Sequence, residues 1–108
     1  IFGGGGQTRD YVYVGDVVAA FLSLLERSAA HGAINIGTAI ETDVNELARL
    51  ISEAAEYDGQ PNYAPAKPGE QRRSVISYQR ATEVLGWQPK VSLEAGLKKT
   101  VDWFAQTP

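Results

Sequence analysis

The sequence predicts a small mixed α/β domain, built from short strands and about four helices. Three observations predict it. Apolar residues recur at helical spacing in three long segments, short apolar runs of strand character separate them, and glycine and proline mark the turns. The 108 residues are 44% hydrophobic and 21% charged, which is ordinary for a globular chain with one modest core.

The first third of the chain is expected to alternate strand and helix. Residues 11–14 alternate aromatic residues with valine, as a strand does. Asp16 is expected to cap the following helix, which ends before Gly32. Residues 33–36 form a second short apolar run, which predicts another strand. The apolar face of the helix comprises Val17, Phe21, Leu24 and Leu25.

The middle of the chain predicts a second amphipathic helix followed by a loop. Thr42 is a suitable N-cap, and Asp43 suits the positive end of the helix. Residues 62–64 are expected to form a brief strand, and the prolines and glycine of residues 65–69 exclude a helix there. The apolar positions of this second helix are Val44, Leu47, Ala48, Ile51 and Ala55.

Two more helices are expected in the last third, after an extended segment at residues 73–77. Ser77 is expected to cap a short helix that ends at Leu85, with Gly86 in the left-handed position beyond it. The last helix is expected to start after Ser92. Its predicted inward residues are Leu93, Leu97, Val101 and Phe104.

Composition narrows the possible functions. The net charge of −3 argues against nucleic acid as the main partner. The chain has no cysteine, which excludes disulfides and thiolate metal sites. It has no apolar run of membrane-spanning length and no signal-peptide pattern, so no membrane association and a cytoplasmic location are expected. Because it lacks methionine and opens on an apparent strand end, we interpret it as a C-terminal piece of a longer protein.

Arg9 is the first candidate binding residue, because a guanidinium suits bidentate contact with phosphate. The alternative is a surface arginine paired with a neighbouring acid. The glycine run at residues 3–6 does not fit Gly-x-Gly-x-x-Gly, and it is expected to lead into a strand rather than a helix. It therefore predicts a flexible loop near a ligand and no dinucleotide site.

The second candidate is the basic loop that starts at Lys67. Four basic residues and one acid lie between Lys67 and Arg80, in a chain that is acidic overall. The turn at residues 68–69 brings Lys67 close to Glu70. This pairing suits a nucleotide diphosphate, with the cation on the phosphates and the carboxylate on ribose hydroxyls. The alternative, favoured if Arg9 is ignored, is a solvated basic loop.

Other apparent motifs predict no chemistry. Tyr63 and Lys67 match Tyr-x-x-x-Lys, but Pro65 between them prevents the shared helix face that such a pair needs. His31 stands alone, so neither a metal nor an acid–base role is expected for it. Trp87 is expected to pack at a helix end rather than to stack on a ligand.

Several short segments along the chain together resemble motifs of the nucleotide-sugar epimerase/dehydratase family of extended short-chain dehydrogenases. The resemblance covers nearly the whole chain. Within the family, the chain is most similar to the UDP-glucose 4-epimerase branch. The opening matches are Gly4, Gly6, Gln7, Arg9, Asp10, Tyr13 and Val14. Later matches are residues 35–38, Thr42 with 44–47, 67–70, 85–89, 92–97 and 100–104.

The resemblance implies that residues 1–108 are the substrate-binding domain, while NAD and the catalytic groups belong to a Rossmann domain absent from this chain. The implied ligand is a UDP-sugar or a related nucleotide sugar. Arg9 and Lys67 would contact its diphosphate, Glu70 its ribose, and Ser74 would limit the space around the sugar. Tyr11 completes the implied substrate-binding set. No catalytic, cofactor-binding or metal-binding residue is expected in residues 1–108.

Alternatives stay open at this stage. A sugar-nucleotide 4,6-dehydratase or a decarboxylase would differ in acids outside this sequence, and a non-catalytic nucleotide-binding or interaction module belongs to another class. The chain alone is expected to be inactive. We also expect it to self-associate, because helix faces around Phe21, Leu47 or Val101 would lack their partner domain.

Overall fold

The computed structural model describes residues 1–27 and 32–106, and within them it contains four helices and one two-stranded sheet. In chain order the elements are β1 (Thr8–Arg9), α1 (Val14–Glu26), β2 (Thr42–Asp43), α2 (Val44–Ala55), α3 (Gln79–Leu85) and α4 (Leu93–Gln106). The predicted mixed α/β class with about four helices is confirmed. Among the described residues, no helix is long and apolar enough to cross a membrane.

The strands do not lie where the apolar runs predicted them. β1 and β2 pair antiparallel, with Thr8 opposite Asp43 and Arg9 opposite Thr42. The predicted strands at residues 11–14 and 33–36 are wrong: α1 already begins at Val14, and 33–36 has no ladder partner among the described residues. A strand needs a partner at the right distance, and Thr42–Asp43, directly before α2, supplies one to Thr8–Arg9 instead.

The other predicted strands reduce to a single contact. Ala64 forms an isolated parallel bridge with Phe2. This bridge is all that forms of the brief strand expected at residues 62–64. Residues 73–77 form neither a strand nor a helix. These segments therefore run alongside the first residues of the chain without building a sheet.

Three of the four helices begin within one residue of the predicted start. Asp43, not Thr42, caps α2, because its carboxylate accepts a 2.7 Å hydrogen bond from the Glu46 amide. The Ser92 hydroxyl accepts from the Ala95 amide at the start of α4, as predicted. Gly86 follows α3 in the left-handed conformation with φ 66°, which is also as predicted.

Asp16 does not cap α1, contrary to the prediction. It is buried in the first turn of α1, and its Oδ2 accepts hydrogen bonds from the backbone amides of Lys90 and Val91 at 3.1 and 3.0 Å. Its carbonyl accepts from the indole N–H of Trp87 at 2.8 Å. Asp16 therefore joins α1 to the segment between α3 and α4. Trp87 is 4% exposed, so the predicted packing role is confirmed.

The core is small for a chain of this length. Its buried apolar residues are Ala20, Ala81, Leu85 and Trp87. The accessible area is 7804 Å², whereas a compact protein of 11.7 kDa exposes about 5,900 Å². The radius of gyration is 16.2 Å, against about 13 Å for a compact domain of this length. The described residues therefore form an open structure with little apolar interior.

Much of α1 presents apolar side chains to solvent. Its residues that are 40–82% exposed are Val14, Val18, Phe21, Leu22, Leu24 and Leu25. Phe104 near the end of α4 is 67% exposed, so its predicted inward position is wrong. The apolar spacing predicted a helix correctly for both α1 and α4. No other described element covers these exposed positions.

Candidate functional site

Arg9 and Glu70 lie together although they are 61 positions apart in sequence. The Arg9 guanidinium forms an ion pair with Glu70 Oε1 at 3.3 Å, and the two side chains are about one-third exposed. It also donates to the carbonyls of Thr8 at 2.6 Å and Gln71 at 2.8 Å. These contacts place Arg9 beside the loop that starts at Lys67. They also orient the guanidinium toward that loop.

A cleft of about 420 Å³ opens between this loop and the glycine-rich start of the chain; we call it the glycine-loop cleft. Lys67, Glu70 and Arg72 line it, so two of the predicted binding residues share one cavity. Arg9 contacts its wall through Glu70 and Gln71. The Lys67 ammonium lies 4.3 Å from the centre of the Phe2 ring, a cation–π distance.

The glycine-rich segment caps helix α2 with its carbonyl groups. The carbonyls of Gly5 and Gln7 accept hydrogen bonds from the amides of Asn45 and Val44, each at 3.1 Å. Gly5 is buried with φ 80°, and a Cβ there would overlap the Asn45 side chain. Because carbonyls occupy this helix terminus and the glycines lead into β1, the segment does not offer the helix N-terminus that a dinucleotide pyrophosphate requires.

A hydrogen-bonded seam fixes residues 72–74 against β1. The Thr8 amide donates to the Arg72 carbonyl at 2.9 Å, and the Thr8 hydroxyl accepts from the Ser74 amide at 3.2 Å. The same hydroxyl donates to Glu41 at 2.7 Å, and Arg73 binds both Glu41 oxygens at 2.9 and 2.6 Å. These hydrogen bonds, first from Arg73 and then from Thr8, lower the pKa of Glu41 to about 2.

Asp10 is committed to the backbone and does not neutralise Arg9. Its carboxylate accepts from the Thr38 amide at 2.9 Å and the Thr38 hydroxyl at 2.6 Å. It also accepts from the amides of Ala39 at 3.0 Å and Ile76 at 3.1 Å. Ala39 is held with φ 61°, a conformation that these bonds support. Sequence reasoning did not assign this role, because it depends on segments far apart in the chain.

The structure does not bring every expected site residue to the cleft. Tyr11 lines a separate cavity of about 170 Å³, together with Thr38 and Leu93. Ser74 lies half-buried on the seam next to Thr8. Their contact with substrate stays a prediction. Phe2 and Arg72 line the glycine-loop cleft but were not singled out from the sequence, although Arg72 was part of the basic run.

The remaining candidates offer no comparable site. A larger cavity of about 570 Å³ at the end of α2 is lined by Glu53, Glu56 and Asp58, which suits an anion poorly. The backbone between Tyr63 and Lys67 is not helical, as predicted. His31 lies outside the described residues. Within them, no group of three or more histidines, cysteines or acids could hold a metal ion.

Comparison with known proteins gives consistent matches over this chain. The family described as GDP-mannose 4,6 dehydratase matches residues 1–100. The UDP-glucose 4-epimerase of Mycolicibacterium smegmatis is 44% identical over 104 residues, covering 96% of this chain and 33% of that protein. The chain therefore spans about a third of the length of the curated relatives it matches.

Solved structures agree with the sequence matches. The crystal structure of UDP-glucose 4-epimerase with UDP-glucose from Thermotoga maritima has a TM-score of 0.92 and 49% identity, covering 98% of this chain and 34% of that one. The UDP-glucuronic acid 4-epimerase from Bacillus cereus, in complex with UDP-glucuronic acid and NAD, has a TM-score of 0.88 and 28% identity. This match covers 98% of the present chain and 34% of the Bacillus cereus chain.

Proposed function

This chain belongs to the family of sugar-nucleotide epimerases and dehydratases within the extended short-chain dehydrogenases, and we propose that residues 1–108 bind the nucleotide diphosphate of a UDP-sugar. The proposed parent is an NAD-dependent UDP-glucose 4-epimerase. Relatives at 44% and 42% identity carry the names UDP-glucose 4-epimerase and putative UDP-glucose 4-epimerase, which supports this assignment.

The convergence of Arg9, Lys67 and Glu70 carries the proposal. Arg9 and Glu70 are 61 positions apart in sequence, and all three residues lie in or directly against the glycine-loop cleft. Two cations beside a carboxylate suit a diphosphate next to a ribose, because the cations attract the phosphates and the carboxylate accepts hydrogen bonds from hydroxyl groups. The cleft is also a local basic region in a chain with a net charge of −3.

The cofactor is proposed to bind outside residues 1–108. The glycine-rich segment presents carbonyls to the N-terminus of α2 and leads into β1 rather than into a helix, so it does not fit a dinucleotide. In the proposed parent enzyme NAD supplies the hydride chemistry at the sugar. The role of this chain would be to hold the nucleotide half so that the sugar is presented to that chemistry.

A 4,6-dehydratase is the second candidate, since the matching family carries that description. Product analysis of the full-length protein with UDP-glucose distinguishes the two reactions. An epimerase yields UDP-galactose, whereas a 4,6-dehydratase yields a 4-keto-6-deoxy sugar nucleotide. A full-length protein that binds UDP but converts no sugar nucleotide would favour a non-catalytic nucleotide-binding module. A decarboxylase would instead release carbon dioxide from a sugar-acid nucleotide.

Arg9→Ala in the full-length protein tests the site directly. A hydrogen bond to a charged group contributes about 1.5–3 kcal/mol, so affinity for UDP-glucose should fall about ten- to hundredfold. Calorimetric titration measures the affinity, and absorbance of the purified protein reports whether NAD occupancy is unchanged. Arg49→Ala is the matched control, because Arg49 is paired with Glu46 and Glu53 on the α2 surface. Equal affinities of wild type and Arg9→Ala would refute the proposed site.

A further inference from the structure

We propose that Arg72 is a second guanidinium contact for the substrate diphosphate, in the same cleft as Lys67. The proposal rests on the function proposed above and adds a residue to it. Sequence comparison with the family motif singled out Lys67 and Glu70 but not Arg72. The case for Arg72 comes from its position in the cleft, its lack of a committed partner, and the chemistry that Lys67 lacks.

Arg72 lies in the glycine-loop cleft at a fixed place. It lines the cavity together with Lys67, Glu70 and the glycine-rich loop. Its carbonyl accepts a 2.9 Å hydrogen bond from the Thr8 amide, which anchors its backbone to the strand that carries Arg9. The Arg72 side chain is exposed and therefore available to a ligand in this cavity.

The adjacent arginine is already occupied, whereas Arg72 is not. Arg73 binds both carboxylate oxygens of Glu41. Within residues 1–27 and 32–106, the Arg72 guanidinium makes no hydrogen bond or ion pair. Adjacent arginines therefore have different surroundings: Arg73 is held by Glu41, and Arg72 lines the cleft.

The charge in the cleft is incomplete without an anion. Glu70 offsets Arg9, so the positive charges of Lys67 and Arg72 have no carboxylate partner in the cavity. A diphosphate carries negative charge on both phosphates. The Lys67 ammonium is a point charge, whereas a guanidinium presents a planar fork that binds phosphate oxygens in pairs. Arg72 therefore supplies the bidentate contact that a lysine at position 67 cannot.

Titration of uridine, UMP and UDP into the full-length protein tests this inference. Arg72→Ala should weaken UDP binding by about ten- to hundredfold, the range expected for one charged hydrogen-bonding contact. Uridine has no phosphate, so its affinity should not change. The UDP affinity of Arg72→Ala should also depend less steeply on salt concentration. Arg72→Lys, which keeps the charge but loses the fork, should fall between wild type and Arg72→Ala.

The controls separate this inference from the proposed function. Arg49→Ala removes the same charge from the α2 surface and should leave UDP affinity within about twofold of wild type. If wild type does not bind UDP, the proposed function itself is wrong. If Arg9→Ala weakens UDP binding and Arg72→Ala does not, only the inference about Arg72 is overturned. A loss of uridine binding equal to that of UDP in Arg72→Ala would also overturn it.

Discussion

The glycine-loop cleft and helix α1 differ in how far the described residues supply the contacts that each needs. The walls of the cleft are held by polar contacts within the chain, between Arg9 and Glu70 and, in the adjoining seam, between Glu41, Thr8 and Arg73. Along α1, six large apolar side chains remain 40–82% exposed. The cleft is therefore assembled by the described residues, whereas the burial of α1 needs a surface that they do not provide.

The two regions differ because hydrogen bonds need only a few matched groups, whereas hydrophobic burial needs a large covering surface. A hydrogen-bonded seam is complete once a few donors and acceptors meet, as they do between β1 and residues 72–74. Hydrophobic stabilisation instead grows with the area removed from water. With only four buried apolar residues, the described chain has too little apolar surface to cover α1. We expect the two regions to respond differently when each is perturbed.

The largest effect is expected for α1, through self-association of the isolated chain. Phe21→Glu combined with Leu25→Glu should weaken association about a hundredfold or more, because burial of each side chain is worth about 1.5–3 kcal/mol. Sedimentation equilibrium over a range of concentrations measures it. Tyr57→Glu is the control, since Tyr57 is similarly exposed but lies beyond α2. A wild-type chain that stays monomeric at high concentration would contradict the prediction.

A smaller effect is expected at the seam when the pH falls. Hydrogen bonds from Arg73 and Thr8 lower the pKa of Glu41 from 4.5 to about 2. A carboxyl group with a lowered folded pKa stabilises the fold fully above its unfolded pKa, and this stabilisation is lost as pH falls through the folded value. The difference in Tm between wild type and Glu41→Gln should therefore be largest above about pH 5 and shrink toward pH 2.

Arg73→Gln provides the check on that result. It removes the other member of the ion pair, so its difference in Tm from wild type should shrink over the same pH range. The double variant should show no additional pH-dependent loss. A Tm difference for Glu41→Gln that is constant from pH 7 to pH 2 would show that the Glu41 carboxylate does not stabilise the seam in solution.

The smallest effect is expected for Lys67→Arg in the full-length protein. The substitution keeps the charge in the cleft and adds a bidentate fork, so UDP-glucose affinity should be unchanged or improve by up to about tenfold. Lys98→Arg on α4 is a control outside the cleft and should have no effect. A tenfold loss of affinity in Lys67→Arg would indicate that the ammonium of Lys67, held over the Phe2 ring, is itself required.

Helices were predictable from sequence because their signals are local. The apolar spacing in residues 44–55 and 93–104, the cap at Ser92 and the left-handed Gly86 all depend on residues within a few positions of one another. Strands were not predictable in the same way. The apolar run at 33–36 has strand character, yet the ladder forms between polar residues 8–9 and 42–43.

By itself, the sequence determined the fold class, the four helices, the family resemblance and the two loops that carry Arg9 and Lys67. Only the tertiary structure decided that Arg9 pairs with Glu70 and that Asp16 is a buried junction rather than a helix cap. It also separated Arg72, which faces the cleft, from Arg73, which is held by Glu41. The physical reason is sequence separation. Periodicity and capping depend on residues close together in sequence, whereas the pairing of Arg9 with Glu70, 61 positions away, depends on how the folded chain packs.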